Sequence, residues 1–245
     1  MKYTSDQRGI MNRYLAEGNN WESHLEQTRS FIIKCLEKNE GESVAVLGSG
    51  WLLDTPIDYL CNRYKTVFLV DIVHSPQILN KAKKMKNVWL ISADLTGGAI
   101  EGTYNFVRHY RKTGAGSVLD IPFQANLSGI NADYVISLNI LNQLDILLVD
   151  YISRFIKVPE EEIEVFRTRI QQQHLDMLPA GRSCLVSDIE ERVLNRGNNL
   201  VSTRRLVYSN LPDGKDIEKW TWTFDTRGEY NRGCSTEMLV YATDC

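Results

Sequence analysis

Short apolar runs that each end near a polar residue recur along this chain of 245 residues, and helical segments separate them. The first three runs lie close together, at residues 43–47, 66–70 and 87–92. Strands that are apolar along their whole length are buried on both faces, as in a parallel sheet covered by helices. The pattern therefore predicts an α/β fold with a doubly wound, mostly parallel sheet.

The rest of the chain extends the same pattern and then changes it. Residues 133–138 and 183–187 predict the fourth and fifth strands. Helices are predicted over 98–113, 142–157 and 160–178, with a loop-rich connection over 114–131. No helical pattern separates residues 219–224 from residues 238–242, so these two runs predict an antiparallel strand pair at the sheet edge. The prediction is a seven-stranded sheet in one domain, 1–245, with an N-terminal helical extension over 1–40.

Two of the predicted helices have recognisable starts. Thr55 precedes Pro56, and Asp58 follows at the third position after Thr55, which is a variant of the capping box with proline at the first helical position. Ser75 and Pro76 make a similar start for the next helix. Both helices are therefore predicted to be capped by a hydroxyl side chain.

Composition excludes several classes of protein. A net charge of −3 argues against a general nucleic-acid coat, which needs a basic excess. The chain shows neither a secretory signal nor an apolar stretch of the roughly 18 residues that a membrane helix needs. Its five cysteines are scattered and odd in number, which is typical of free thiols in a reducing cytoplasm. We predict a cytoplasmic protein without a metal site.

Polar residues follow each of the five predicted parallel strands. They are Gly48, Ser49 and Gly50 after the first strand, then Asp71, Asp94, Asn139 and Asp188 after the next four. Ligands of doubly wound sheets bind at the carboxyl ends of the strands, where the strand order reverses. Glycines let the backbone approach a ligand, and a carboxylate accepts hydrogen bonds from two ribose hydroxyls. The pattern is typical of a nucleoside site.

Four stretches resemble the class I S-adenosylmethionine-dependent methyltransferases, a Rossmann-like family. They are VAVLGSG (44–50), VFLVD (67–71), VWLISADL (88–95) and DYVISLNILNQL (133–144), and with the closing strand pair the resemblance covers residues 41–245. It implies that Gly48 and Gly50 face the methionine part of the cofactor, that Asp71 takes the ribose and that Asp94 lies beside adenine. The full predicted set of cofactor-binding residues is Gly48, Ser49, Gly50, Asp71, Ile72, Asp94, Leu95 and Asn139.

The chain departs from the family pattern in its first motif. Val46 stands where the family usually has an acidic residue, and Leu52 stands where its third glycine would fall. Purely structural roles also remain open for some of these residues. Asp94 can cap the adjacent turn instead of contacting adenine, and Trp51 can fill the core instead of packing on a ligand. His74 is predicted to be an exposed turn residue.

The resemblance implies transfer of a methyl group from S-adenosylmethionine to an acceptor, small or macromolecular, that the sequence does not identify. The predicted catalytic residues are Asp188, as a base where the acceptor needs one, and Asn139, which would orient the acceptor. A nicotinamide-dependent oxidoreductase is the competing enzyme class, although the missing third glycine and the closing strand pair argue against it. A non-catalytic module that binds the cofactor, and a remoter aminopropyl transferase, stay open as alternatives.

Overall fold

The computed structural model describes residues 3–124, 127 and 129–245. Residues 125, 126 and 128 of the predicted 114–131 connection, and residues 1 and 2 of the predicted N-terminal extension, lie outside the described residues. The helices are α1 (Tyr3–Glu17), α2 (Glu22–Glu37), α3 (Ile57–Arg63), α4 (Pro76–Ala82), α5 (Ala99–Thr113), α6 (Ile146–Phe155) and α7 (Glu160–Asp176). The strands are β1 (Ser43–Leu47), β2 (Thr66–Asp71), β3 (Val88–Ser92), β4 (Tyr134–Leu138), β5 (Ser183–Leu194), β6 (Leu200–Arg205), β7 (Ile217–Asp225) and β8 (Ser235–Asp244).

The strands form one sheet in the order β3-β2-β1-β4-β5-β8-β7, which confirms the predicted α/β fold. The pairs β3-β2, β2-β1, β1-β4 and β4-β5 are parallel, and β8 runs antiparallel to both β5 and β7. Because β1 lies between β2 and β4, the chain reverses its direction of travel across the sheet at β1. The carboxyl ends of β1, β2 and β4 therefore meet at the switch point where such sheets bind ligands.

Two apolar layers cover the sheet. On one face Val46 and Leu69 pack against α2, α3 and α4, with Phe31 of α2 among the most buried side chains. On the other face Val135 packs with residues of α5, α6 and α7, among them Phe166. Alternate residues of β1, β2 and β4 supply the two layers, so these central strands have no solvent-facing side. This explains why their sequences are continuous apolar runs.

The region after the fifth strand differs from the prediction. The sequence pattern predicts that this strand ends at Asp188, whereas β5 continues to Leu194 and pairs with an eighth strand, β6. The apolar run stops at Asp188 because the pairing with β4 stops at Val186, and the extension beyond it is only partly buried. The register with β8 shifts between Asp188 and Glu190, so a bulge marks the place where the strand leaves the body of the sheet.

The predicted cap of α3 is wrong. The residue that precedes this helix is Pro56, which makes no side-chain cap, and the buried Thr55 hydroxyl has no hydrogen-bond partner among the described residues. The predicted cap of α4 is confirmed, because the Ser75 hydroxyl accepts a hydrogen bond from the backbone N–H of Ile78 at 3.3 Å. The β1–α3 loop thus keeps a free hydroxyl at its end.

The N-terminal segment packs on the sheet through aromatic side chains. Trp21, in the short 3₁₀ helix between α1 and α2, lies 4.7 Å from Trp222 of β7 between ring centroids and donates its indole N–H to the carbonyl of Phe224. His24 of α2 stacks on Trp222 at 4.0 Å and accepts the indole N–H of Trp220. Trp220 and Trp222 are both buried. These contacts hold α1 and α2 against β7.

Candidate functional site

The turn after β1 begins with a glycine that no other residue can replace without strain. Gly48 has a φ of 82°, and a Cβ at this position would lie 2.6 Å from the carbonyl oxygen of Leu138 and 2.8 Å from the Cβ of Ile140. The backbone N–H groups of Gly48 and Ser49 both donate to the carbonyl of Val70 in β2. The turn is therefore fixed between β2 and β4.

Gly50 has more space around its Cα atom than Gly48 does. Its φ is 45°, but a Cβ there would meet only the carbonyl oxygen of Gly48, at 3.8 Å. The space beside Gly50 is open, as expected of a loop whose backbone faces a ligand. Ser49, between the two glycines, is 1% exposed, and its hydroxyl has no hydrogen-bond partner among the described residues.

Asp71, at the end of β2, lies directly beside this turn. Its Oδ2 accepts the backbone N–H of Gly50 at 2.8 Å, and its Oδ1 accepts the side-chain amide of Gln7 at 3.3 Å. Gln7 belongs to α1 and also donates to the carbonyl of Val73 at 2.9 Å. Asp71 is buried, and each carboxylate oxygen can accept more than one hydrogen bond. The sequence analysis missed Gln7, because no local pattern indicates a contact between segments so far apart.

The rest of the β1–α3 loop is held in an uncommon conformation. Leu52 has a φ of 58°, in the left-handed region where glycine is the usual residue. It is the position at which the sequence lacks a third glycine, and its side chain is buried. Trp51 donates its indole N–H to the carbonyl of Gln7 at 2.7 Å and packs against the apolar core. The loop is therefore tied to α1 directly through Trp51 and indirectly through Asp71 of β2, which accepts hydrogen bonds from both Gly50 and Gln7.

A cleft of about 490 Å³ lies beyond the ends of β2 and β3. It is lined by Ile72, Asp94, Ile100, Glu101, Tyr104 and Tyr151. The rings of Tyr104 and Tyr151 stack with 6.2 Å between centroids. A cleft with two tyrosine rings and aliphatic walls suits a flat aromatic group. The sequence analysis named Ile72 and Asp94 but missed both tyrosines.

Asp94 caps the turn that follows β3. Its Oδ1 accepts both the backbone N–H of Thr96 at 2.8 Å and the Thr96 hydroxyl at 2.6 Å, and its Oδ2 accepts the N–H of Gly98 at 3.2 Å. The side chain is nevertheless on the cleft wall. Leu95 is buried in the apolar layer on the α5 side of the sheet.

Asn139 lies just after β4 with a φ of 48°, a left-handed conformation that asparagine tolerates better than most residues. Its backbone N–H donates to the carbonyl of Val186, and its side-chain amide donates to Oδ2 of Asp54 at 2.7 Å. The side-chain oxygen of Asn139 is buried and has no hydrogen-bond partner among the residues that the structure describes. Burial raises the pKa of Asp54, while the bond from Asn139 acts in the opposite direction. Asp54, in the β1–α3 loop, is a further residue that the sequence analysis missed.

Asp188 of β5 is a buried carboxylate, 6% exposed, next to these groups. Its Oδ1 has no hydrogen-bond partner among the described residues. Burial raises the pKa of Asp188 to about 7, and the negative charge of Asp54 adds to this shift. Isolated buried carboxylates are costly, so they persist mainly where a ligand or a reaction needs them.

His74 and His174 each lie beside a group outside this site, and His74 corrects a prediction. His74 is buried rather than exposed, and its Nε2 lies 3.1 Å from the carbonyl of Ile91. His174 is buried beneath β4, where its Nε2 lies 2.7 Å from the Ser137 hydroxyl and burial lowers its pKa to about 4.

In the part of the chain that the structure describes, no group of three acidic, histidine or cysteine side chains is arranged to hold a metal ion. Within those same residues no helix combines the length and apolarity needed to cross a membrane.

The predicted site residues are brought together along one edge of the sheet. The turn at 48–50 contacts Asp71 on one side and the end of β4 on the other, and Asn139 reaches Asp54, whose charge acts on Asp188. Asp94 is set apart on the cleft wall. The arrangement combines a glycine turn, an aromatic-lined cleft and two carboxylates, of which Asp188 is buried and Asp54 half-buried.

No known protein family matches the sequence, and no curated protein resembles it in sequence. Among solved structures, an N-methyltransferase, NodS from Bradyrhizobium japonicum WM9, is 11% identical with a TM-score of 0.40, covering 94% of this chain and 99% of its own. A complex described as DhpI-SAM-HEP is 12% identical with a TM-score of 0.38, covering 97% of this chain and 95% of its own. A precorrin-6y C5,15-methyltransferase from Geobacter metallireducens GS-15 is 12% identical with a TM-score of 0.32, each chain being covered to 88%. At these identities and TM-scores the similarities do not bear on a reaction or a substrate.

Proposed function

We propose that this protein is an S-adenosylmethionine-dependent methyltransferase. The observation that carries the proposal is the contact between the glycine turn and Asp71, in which the Gly50 N–H donates to the carboxylate at 2.8 Å at the switch point of the sheet. This arrangement places an acceptor of two hydroxyl hydrogen bonds beside a backbone that a ligand can approach closely. It is the arrangement that a nucleoside with an extended tail requires.

The residues of the site fit the three parts of the cofactor. Asp71 would accept hydrogen bonds from the ribose hydroxyls, and the cleft walled by Ile72, Tyr104 and Tyr151 would take the adenine. The open space beside Gly50 and the unpartnered Ser49 hydroxyl support a place for the methionine part. Of the remaining predicted contacts, Gly48 and Asn139 fix the same edge of the sheet, Asp94 lies on the cleft wall, and Leu95 is buried in the apolar layer.

The bound cofactor supplies an activated methyl group, so the protein needs chiefly to align the acceptor and to exclude water. Asn139 would position the acceptor through its unpartnered side-chain oxygen, and Asp188 would accept a proton from it. The pKa of Asp188, raised by burial to about 7, suits a base near neutral pH. Asp54 would hold the Asn139 amide in place through their 2.7 Å hydrogen bond.

Calorimetric titration with S-adenosylhomocysteine tests the proposal. We expect micromolar or tighter binding, no binding of NAD, and a loss of affinity of about tenfold to a hundredfold in Asp71→Asn, because the substitution removes the negative charge and replaces one acceptor oxygen by an NH₂ donor. Asp176→Asn is the matched control, since Asp176 is exposed at the end of α7, at the opposite edge of the sheet. Binding of NAD, or equal affinity in wild type and Asp71→Asn, would overturn the proposed site.

Transfer of a labelled methyl group separates an enzyme from a binding module. We expect wild-type protein to label at least one member of a panel of amines, alcohols, thiols and carboxylates, and Asp188→Asn to label it much more slowly. If S-adenosylhomocysteine binds while no member of the panel is labelled, the chain is a binding module and not an enzyme.

A further inference from the structure

Five buried side-chain oxygens that have no hydrogen-bond partner among the described residues lie in the segments that follow β1 and β4 and at the bulge of β5. They are the hydroxyls of Ser49 and Thr55, the side-chain carbonyls of Asn139 and Asn142, and Oδ1 of Asp188. Buried polar atoms are nearly always paired in native proteins, so several unpaired atoms on adjacent strand ends indicate a ligand that pairs them. An amide oxygen only accepts hydrogen bonds, and so does a carboxylate when it is ionised. These groups therefore indicate a ligand that donates hydrogen bonds.

The charged side chains near these oxygens indicate which class of ligand the site binds. Asp54 and Asp188 lie close enough for the charge of one to act on the other, and Asn139 bonds to Asp54 at 2.7 Å. The positive charge of Arg29 acts on Asp54, and its guanidinium donates to the backbone carbonyl of Leu53. The buried Asp188 and the half-buried Asp54, with one guanidinium acting on Asp54, favour a cationic ligand, because a neutral ligand would leave negative charge uncompensated.

We propose that the methyl acceptor is a primary or secondary amine, bound as its cation by Asp54, Asn139 and Asp188. An ammonium group provides the positive charge and the two or three N–H donors that these oxygens lack. An alcohol or thiol provides one donor and no charge, and a carboxylate acceptor would be repelled. The inference rests on the proposed methyl transfer and names the acceptor class for the same site.

The chemistry balances without a further reactant. The ammonium first gives one proton to the ionised Asp188 carboxylate, which leaves a neutral nitrogen with a free lone pair. The lone pair then forms the nitrogen–carbon bond and displaces the sulfur of the donor, which keeps the electron pair of the broken carbon–sulfur bond. The methylated amine leaves as a cation, and the proton on Asp188 passes to solvent.

Matched amines and alcohols test the inference by binding as well as by activity. The probes are benzylamine against benzyl alcohol and tryptamine against tryptophol, titrated at pH 8 into protein saturated with S-adenosylhomocysteine. We expect at least one amine to bind about tenfold or more tightly than its alcohol, since charge-assisted hydrogen bonds are stronger than neutral ones. Asp54→Asn and Asp188→Asn should each reduce this preference by about tenfold, and both variants are near-isosteric, so a thermal melt can confirm that they fold. Asp176→Asn should keep it.

The two carboxylates could instead bind the ammonium group of the methionine part of the cofactor. The same titrations distinguish this alternative from binding of an amine acceptor. If Asp54→Asn and Asp188→Asn lose affinity for S-adenosylhomocysteine while the amine preference of the wild type is absent, the carboxylates hold the cofactor and the inference is overturned. Equal binding of amines and alcohols, or labelling of alcohols or thiols in preference to amines, overturns it as well. In those cases methyl transfer itself stands, whereas absence of S-adenosylhomocysteine binding removes both proposals.

Discussion

At the scale of single residues, the two glycines of the β1 turn predict different costs of substitution. Gly48→Ala places a methyl group against the Leu138 carbonyl and should lower the free energy of unfolding by about 2–5 kcal/mol, combining overpacking with backbone strain. Gly50→Ala meets open space and carries only the strain of its φ, about 1 kcal/mol. Urea unfolding followed by circular dichroism measures both. Gly9→Ala, exposed on α1 with no atom within 4 Å, is the control and should not destabilise; equal losses at Gly48 and Gly50 would contradict the structure.

The buried carboxyl group of Asp188 is expected to lower the stability of the fold when it is ionised, although the proposed activity needs it ionised. Because its folded pKa, about 7, lies above the value of an unfolded aspartic acid, the folded state binds the proton more tightly. The resulting stabilisation is complete below the unfolded pKa and is lost as the pH rises through about 7. Asp188→Asn cannot ionise, so it should be more stable than wild type at pH 8, by about 1–3 kcal/mol, while losing activity.

Urea unfolding at pH 5 and pH 8 checks this expectation. The advantage of Asp188→Asn over wild type should be clearly larger at pH 8 than at pH 5, because the wild-type carboxyl is mostly neutral at the lower pH. Asp176→Asn controls for the effect of removing an exposed carboxylate and should show no such difference. An advantage that is independent of pH would mean that Asp188 does not ionise in the folded protein.

Residue patterns found part of the candidate site and could not have found the rest. Gly48 and Asp71 stand out in the sequence because a glycine and an acid directly follow buried strands. Asp54 lies in a loop whose path depends on Leu52 adopting a left-handed backbone, which its sequence does not indicate. Gln7 reaches Asp71 only because tertiary packing places α1 above the loop. Contacts that depend on loop conformation or on docking leave no periodic signal.

At the scale of elements, α1 covers the place where the proposed ribose would lie. Gln7 donates to Asp71 at 3.3 Å, a long hydrogen bond that an incoming hydroxyl can replace at little cost, while its bond to Val73 stays available. Gln7→Ala should therefore leave S-adenosylhomocysteine binding unchanged or tighten it by about threefold, because Asp71 no longer has to exchange a partner. Calorimetry measures the affinity. A loss of tenfold or more would mean that Gln7 itself binds the ligand.

Strands were predicted to the extent that they are buried. β1, β2 and β4 are continuous apolar runs because both of their faces are covered, and their predicted bounds agree with the structure to within a residue. β6 was missed because all of its residues are exposed and it pairs only with the extension of β5. A strand without a buried face carries no alternation or apolar run for a sequence pattern to detect.

At the scale of the molecule, the sheet is the rigid part and the loops at its carboxyl edge are the adaptable part. The two apolar layers fix the ends of β1, β2, β4 and β5 relative to one another, so the site needs the whole fold to exist. Binding at that edge stabilises the folded state as a whole, by about 2.7 kcal/mol when the ligand is present at a hundred times its dissociation constant. It should also slow local opening near the ligand.

Hydrogen–deuterium exchange with and without S-adenosylhomocysteine can locate this effect. We expect slower exchange at 48–54, 71–74 and 139–143, because these segments form the proposed site and their loops lack the protection of the sheet interior. The turn at 195–199, which joins β5 to β6, is exposed and distant from the strand ends of the switch point, so it serves as an internal control with unchanged exchange. Protection confined to 195–199, or spread evenly over the chain, would place the ligand outside the edge where β1, β2 and β4 meet.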